Sequence, residues 1–340
     1  MSRIPRKLAM PALGALACCL PPRMAQAQAL QQVEQVEQAQ QVQRLREFQP
    51  AQASTSDDPS LYPGEEEDTG RQFLLRTVSL PHWNWISLSL DSQYYHTSNA
   101  FLTNTGKQGA GLLVSTIDAE VDAPPIAVPF GQLRARAGYL YQWFDYAIGD
   151  GPGTLSQLDF DAATTYLEAD YDLPANWYAV ANLSYTRLLN NGAGYDEFYK
   201  ELVPSLRIGK TIQLRQDLIA SVEYYGNYRF TDETATPDLA RSSSNRTDQA
   251  LNFALTWQFA KNVDLRPFYS VQYSHYPGYF AGQSRNDFLQ TVGVYADYSI
   301  NAWSSIRVFV SYEARDSDAA SVPDYRKLDA GGGVSANFKF

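Results

Sequence analysis

Three histidines, His82, His96 and His275, are the first residues to weigh for chemistry. An imidazole works as a base or a metal ligand when a Ser, a thiol or a carboxylate stands within reach. No His/Cys/carboxylate spacing in the chain fits a metal site. Neither a nucleophile motif nor a phosphate-binding glycine loop occurs. His96 and His275 are expected at the same end of the molecule, where they could approach each other. Asp316, Asp318 and Asp324 fall in one connection, where solvated carboxylates are ordinary. Gly331-Gly332-Gly333 lies inside an alternating segment and reads as room for bending or close strand approach. The expectation is therefore a non-enzyme, with no catalytic residue, no metal and no cofactor.

The other ionisable residues follow a pattern. Arg134 and Arg136 are two apart, which points them the same way on an extended strand. The same parity collects Arg207, Arg229, Arg266, Arg307 and Lys339, and against them Asp91, Asp159, Asp161, Glu201, Glu223, Asp297, Glu313 and Asp329. Groups of both signs on one face of many strands could line a path for polar or anionic solutes, or pair across it and seal it.

The elements that position them have a period of two. From about Trp83 to Phe340, twelve strands are predicted: 84–95, 110–121, 133–143, 158–171, 176–188, 198–210, 218–229, 248–259, 265–274, 287–299, 306–313 and 328–340. The third is the clearest. Leu133, Ala135, Ala137, Tyr139, Tyr141 and Trp143 share one face, and Arg134, Arg136, Gly138 and Gln142 the other. The second and fourth alternate less cleanly, and bulges are expected there.

Alternation alone fits a soluble sandwich, whose sheets bury one face. Three features favour a closed membrane barrel. Tight connections (174–176, 260–262, 299–301 and 211–216) alternate with long polar ones (96–109, 145–157, 189–197, 231–247, 277–286 and 314–326), as in outer-membrane barrels; 122–131 is the exception among the short ones. Aromatics on the outer face gather near strand ends: Trp85, Trp177, Trp257, Phe259, Tyr298, Trp303 and Phe340 towards one rim, and Tyr94, Tyr141, Trp143, Tyr185, Tyr228 and Tyr312 towards the other. Finally, a sandwich core would bury Arg134, Arg136, Glu201, Arg207, Glu223, Arg229, Arg266 and Arg307 at heavy desolvation cost, whereas a wet lumen holds them. The fold class expected is all-β, a transmembrane up-and-down antiparallel β-barrel of about twelve strands. With an even strand number both termini fall on the short-turn, periplasmic side.

Before the barrel the composition differs. Arg3, Arg6 and Lys7, the apolar run Leu8–Leu20 and Ala25-Gln26-Ala27 read as a cleaved signal peptide, residues 1–27. Both cysteines, Cys18 and Cys19, lie in it. A lipidated Cys19 is the rival reading, but Leu16-Ala17-Cys18-Cys19 matches less well than the cleavage site. Removing this segment, with four basic residues and no acid, takes the net charge from −10 to −14, which argues against a nucleic-acid partner. Residues 28–82 are Gln-rich and then acidic, with Val33, Val36, Ala39, Val42 and Leu45 at every third position. They read as a partly helical, partly disordered periplasmic tether. The mean hydropathy of −0.35 is compatible with a barrel.

At this point the chain resembles bacterial outer-membrane β-barrel proteins of porin type. The resemblance rests on the alternating last strand, Leu328 to Phe340, ending in an aromatic. The tract Asp91-Ser92-Gln93 with Asn99-Ala100-Phe101-Leu102-Thr103 also looks like the first strand and loop of some β-barrel porins. It covers about residues 83–340. It implies that Phe340 is part of the signal read by the barrel-assembly machinery, and that outer-membrane lipids, lipopolysaccharide and small polar solutes are the partners. The function expected is a narrow channel for small polar or anionic solutes. The alternatives are a closed structural or binding barrel, and an exit port for an exported polysaccharide or protein.

Overall fold

The computed structural model describes residues 85–146, 155, 158–190, 196–233, 244–280 and 283–340, together with Gln32 and Val36. The leader 1–27, His82 and the rest of 28–82 lie outside the described residues.

The strands are β1 (Ile86–Thr97), β2 (Ala110–Asp122), β3 (Ile126–Val128), β4 (Gly131–Asp145), β5 (Phe160–Leu173), β6 (Trp177–Asn190), β7 (Glu197–Arg215), β8 (Leu218–Glu233), β9 (Arg246–Ala260), β10 (Val263–Phe280), β11 (Gln283–Ser299), β12 (Ser304–Ser317) and β13 (Tyr325–Lys339). Each long strand pairs antiparallel with its chain neighbours. Pairing of β1 with β13 and of β2 with β4 closes the ring. The chain is thus a closed barrel of twelve long strands, and closure leaves no edge to pair with a stranger.

Two connections, 211–216 and 277–286, differ from expectation, and the exception at 122–131 has a structural reason. β7 and β8 run down to Arg215 and Leu218, so the turn there is only Gln216-Asp217. Residues 122–131 are longer than a turn because β3 folds back on β4, with Ile126 opposite Leu133. The expected long loop 277–286 is mostly strand. Pro277 and Gly278 read as breakers, yet β10 passes them with a register shift between Tyr276 and Phe280, the kind of place where a sheet tolerates proline. The tight turns use left-handed backbone, with φ of 58° at Ala175, 61° at Asn176 and 69° at Asn262, as hairpins of this hand require.

The bulges expected in the second and fourth strands are absent. β2 and β5 keep one register along their whole pairing. Their alternation is blurred because inward positions are themselves apolar: Ala110, Leu112 and Val114 on β2, Phe160 and Ala162 on β5. The shifts fall in β6–β7, β7–β8, β9–β10 and β10–β11.

The outer face is a band of exposed apolar side chains: Leu90, Ile117, Leu167, Leu183, Leu206, Val292, Val308 and Val334 among them. Trp85, Trp177, Phe259, Tyr298 and Trp303 ring one end, and Tyr94, Trp143, Tyr185 and Tyr312 the other. Water would not tolerate so large an apolar belt, and a bilayer would.

The seam between β1 and β13 explains the glycine run. A Cβ on Gly331 would stand 2.3 Å from both the Tyr94 carbonyl oxygen and the Tyr95 Cβ. Gly331→Ala is expected to destabilise the barrel by about 1–3 kcal/mol, since the strand must shift to admit the methyl. The midpoint of urea unfolding in detergent checks this, and an unchanged midpoint would mean the seam yields freely.

Candidate functional site

The inward register carries the chemistry. At the short-turn half, Arg136 Nε donates to Glu168 Oε1 at 2.9 Å, and Arg207 Nη2 donates to Glu168 Oε2 at 2.9 Å. Asn182 adds a third donor at 3.0 Å. Arg136 also lies 3.4 Å from Asp170 and 4.0 Å from Glu120. The Tyr166 hydroxyl donates to Asp118 and Glu120. Its ring lies over Gly138 of the neighbouring strand, filling the space where a Cβ would stand. Across the ring, Arg307 donates from Nε to Asp297 at 3.1 Å and stands 3.6 Å from Asp91. Arg266 is 3.4 Å from Asp264. Arg134 pairs with Asp172 at 3.1 Å at the exposed rim.

Higher up, Arg229 bridges two carboxylates. Its Nη1 donates to Glu201 at 2.9 Å and its Nε to Asp248 at 2.7 Å. Arg246 donates to Asp248 at 2.9 Å, and the Tyr199 hydroxyl donates to Glu201 at 2.8 Å. Glu223 accepts from Tyr178 and Asn252, both at 3.2 Å. Arg285 pairs with Asp287 and stacks over Tyr276, 4.4 Å from its ring centre. Lys327 lies 3.7 Å from Glu313 and 3.3 Å from Asp329.

Arg134, Arg136, Glu201, Arg207, Glu223, Arg229, Arg266 and Arg307 all stand at inward positions, and all but Arg134 and Arg136 are buried. Asp159 and Asp161 do not join them. Asp159 precedes β5 and accepts from the Tyr146 backbone N–H at 2.7 Å. Asp161 sits opposite Trp143 on the outward register and accepts from the Tyr141 hydroxyl. Sequence reasoning missed Arg246, Asp248, Arg285, Asp287, Arg315 and Lys327, because it placed Arg246, Arg285 and Arg315 in loops and the other three at the very edges of strands. The signal was there: 246/248, 285/287, 313/315 and 327/329 are charges two apart, continuing the inward parity beyond the expected strand ends.

Between these layers the lining changes character. Near the long-loop end, Leu112, Val114, Phe144, Phe160 and Leu188 face inward and form one apolar cluster with Tyr95, Tyr199, Leu155 and Leu158. Towards the other end a polar cleft of about 90 Å³, lined by Asp118, Glu120, Arg136, Tyr166, Glu168 and Arg207, has room for several waters.

The histidines do not meet. His96 on β1 and His275 on β10 are separated around the ring by β11, β12 and β13, and His275 Nδ1 is 2.8 Å from Asn286 Oδ1. Asn286 donates from its backbone and side-chain nitrogens to Asp318, holding that carboxyl below its usual range. Asp324 accepts from the Ser317 N–H. Among the described residues no three His, Cys, Asp or Glu gather as a metal site.

A closed antiparallel ring with an apolar, aromatic-belted exterior and an ionic interior is the architecture of outer-membrane-type transmembrane β-barrels. Solved structures of similar fold include an outer membrane channel from Pseudomonas putida F1 (11% identity over 76% of this chain and 97% of that one, TM-score 0.47). Others are the β domain of the Bordetella autotransporter BrkA (15%, 75% and 100%, TM-score 0.41) and the NanC porin (7%, 73% and 98%, TM-score 0.39). No family model and no curated protein matches the chain.

Proposed function

We propose that the protein is a narrow channel of the outer membrane for small polar solutes, anions among them. The observation that carries this reading is the wall of the inner half. Glu168 shared by Arg136 and Arg207, and Arg307 between Asp297 and Asp91, make a wall of fixed, paired charge on which only solutes with hydrogen-bonding groups replace water at little cost. In the same reading the termini are periplasmic and the segment 1–27 is removed. The outer face meets lipid and lipopolysaccharide. Phe340, exposed at the rim and donating its N–H to the Ile86 carbonyl, is the assembly signal.

The test is conductance of the refolded chain from Gln28 in a planar bilayer, beside an Arg134→Glu/Arg136→Glu variant. Stepwise conductance is expected, with the reversal potential in a salt gradient moving towards cation selectivity in the variant, because two fixed positive charges become negative. Identical reversal potentials would remove these arginines from the permeation path.

A further inference from the structure

Two residues far from the barrel in sequence lie buried with its lining. Val36 is 3% exposed and belongs to the apolar cluster of Leu112, Val114, Phe144, Phe160 and Leu188. Gln32 is 4% exposed, and its Nε2 donates to the Leu158 carbonyl at 3.3 Å. Both are helical, and a spacing of four puts them on one helix face. We infer that the chain carries its own stopper: the N-terminal segment, through the face bearing Gln32 and Val36, docks against the apolar side of the wall inside the long-loop mouth and closes the lumen there. This rests on the channel reading above.

The physical case has three parts. An apolar stretch of wall, spanning β1, β2 and β4–β7, is a poor lining for a path of polar solutes, but a good seat for a valine. The inward bulk of Phe144, Phe160 and Leu188 therefore makes sense as a docking surface whose occupant belongs to the same molecule. The Gln32 amide meets the one kind of group such a seat must satisfy, a buried backbone carbonyl on the loop that leads into β5. Reach is no obstacle. Forty-eight residues separate Val36 from Trp85, a contour of up to ~160 Å, against a barrel wall roughly 50 Å along a fifteen-residue strand. Tethering also holds the segment at an effective concentration in the millimolar range, so a modest contact keeps it docked. A carboxylate at Val36 should break it, because the cluster holds no cation to offset its desolvation.

The experiment uses the chain from Gln28, which contains no cysteine. Gln32→Cys/Leu158→Cys is treated in lipid with a short bis-maleimide beside Gln32→Cys/Gln216→Cys, whose second site is at the opposite rim. Conductance is recorded for the unmodified chain, Val36→Leu and Val36→Asp. Expected are efficient cross-linking of the first pair only, and an open probability about tenfold higher in Val36→Asp than in the other two. Equal cross-linking of both pairs, or none, would overturn the docking. Equal open probability in all three chains, with channels present, would overturn the stopper. Efficient cross-linking of the first pair with no conductance in any chain would overturn both the stopper and the channel reading and leave the docking standing.

Discussion

Arg229→Met is expected to lower the unfolding free energy by about 3–5 kcal/mol, because it leaves buried carboxylates facing a thioether. The guanidinium is the only described cation within bonding distance of Glu201, which would keep just the Tyr199 hydroxyl. Asp248 would keep Arg246, so the loss concentrates on Glu201. A double variant, Arg229→Met/Glu201→Gln, should recover a good part of the stability, since a neutral amide in the same place no longer needs a counter-charge. Arg134→Met is the internal control. Its pair with Asp172 stands at the rim with both side chains about half exposed, and such pairs contribute about 0–1 kcal/mol. Urea unfolding in lipid vesicles reads all three. A loss in Arg229→Met no larger than in Arg134→Met would mean that water reaches Glu201 freely, and the tight upper layer would have to be abandoned.

Val308→Arg should cost about 2–4 kcal/mol, the depth-dependent penalty for a cation on the lipid face. Val308 is 57% exposed on β12 and lies between Trp303 and Tyr312, the aromatics at either end of that strand. Tyr298→Arg, at the belt, should cost about 0–1 kcal/mol, because an arginine there reaches the interface. Both substitutions leave the lumen untouched. The comparison therefore isolates the membrane: in a detergent micelle the difference should shrink, and in a bilayer it should return. Equal costs in the bilayer would place the apolar belt against something other than hydrocarbon.

Much of the barrel could be read from residue parity. The inward face of β4, β8, β10, β12 and β13 was legible because Arg, Ser, Asn and Glu alternate there with Leu, Val and Tyr. What escaped was whatever broke that rule for a reason of its own. β2 and β5 blur the alternation because they furnish the apolar seat, so inward and outward positions share a chemistry. Asp161 looked inward because an acid on the lipid face is costly, yet it faces outward near the rim, where the Tyr141 hydroxyl donates to one of its two oxygens. Pro277 led 277–286 to be read as a loop, which hid the upper part of β10 and, at the start of β11, the charge of Arg285. Gln32 and Val36 could not be placed at all: a valine every third residue along a polar segment does not say what it packs against.

The ring is completed by a pair that the chain makes late. Ser87 opposite Lys339 joins residues more than 250 positions apart, the largest loop-closure cost among the strand pairings. Until Tyr325–Lys339 arrives, β1 has a free edge, and so does whichever strand was made last. A chain interrupted before β13 would therefore present two raw edges rather than one smaller barrel, each a template for a neighbour. β13 acts less as one more stave than as the hoop: it follows every other strand in the ring, so it sets when closure happens rather than how tightly the staves hold.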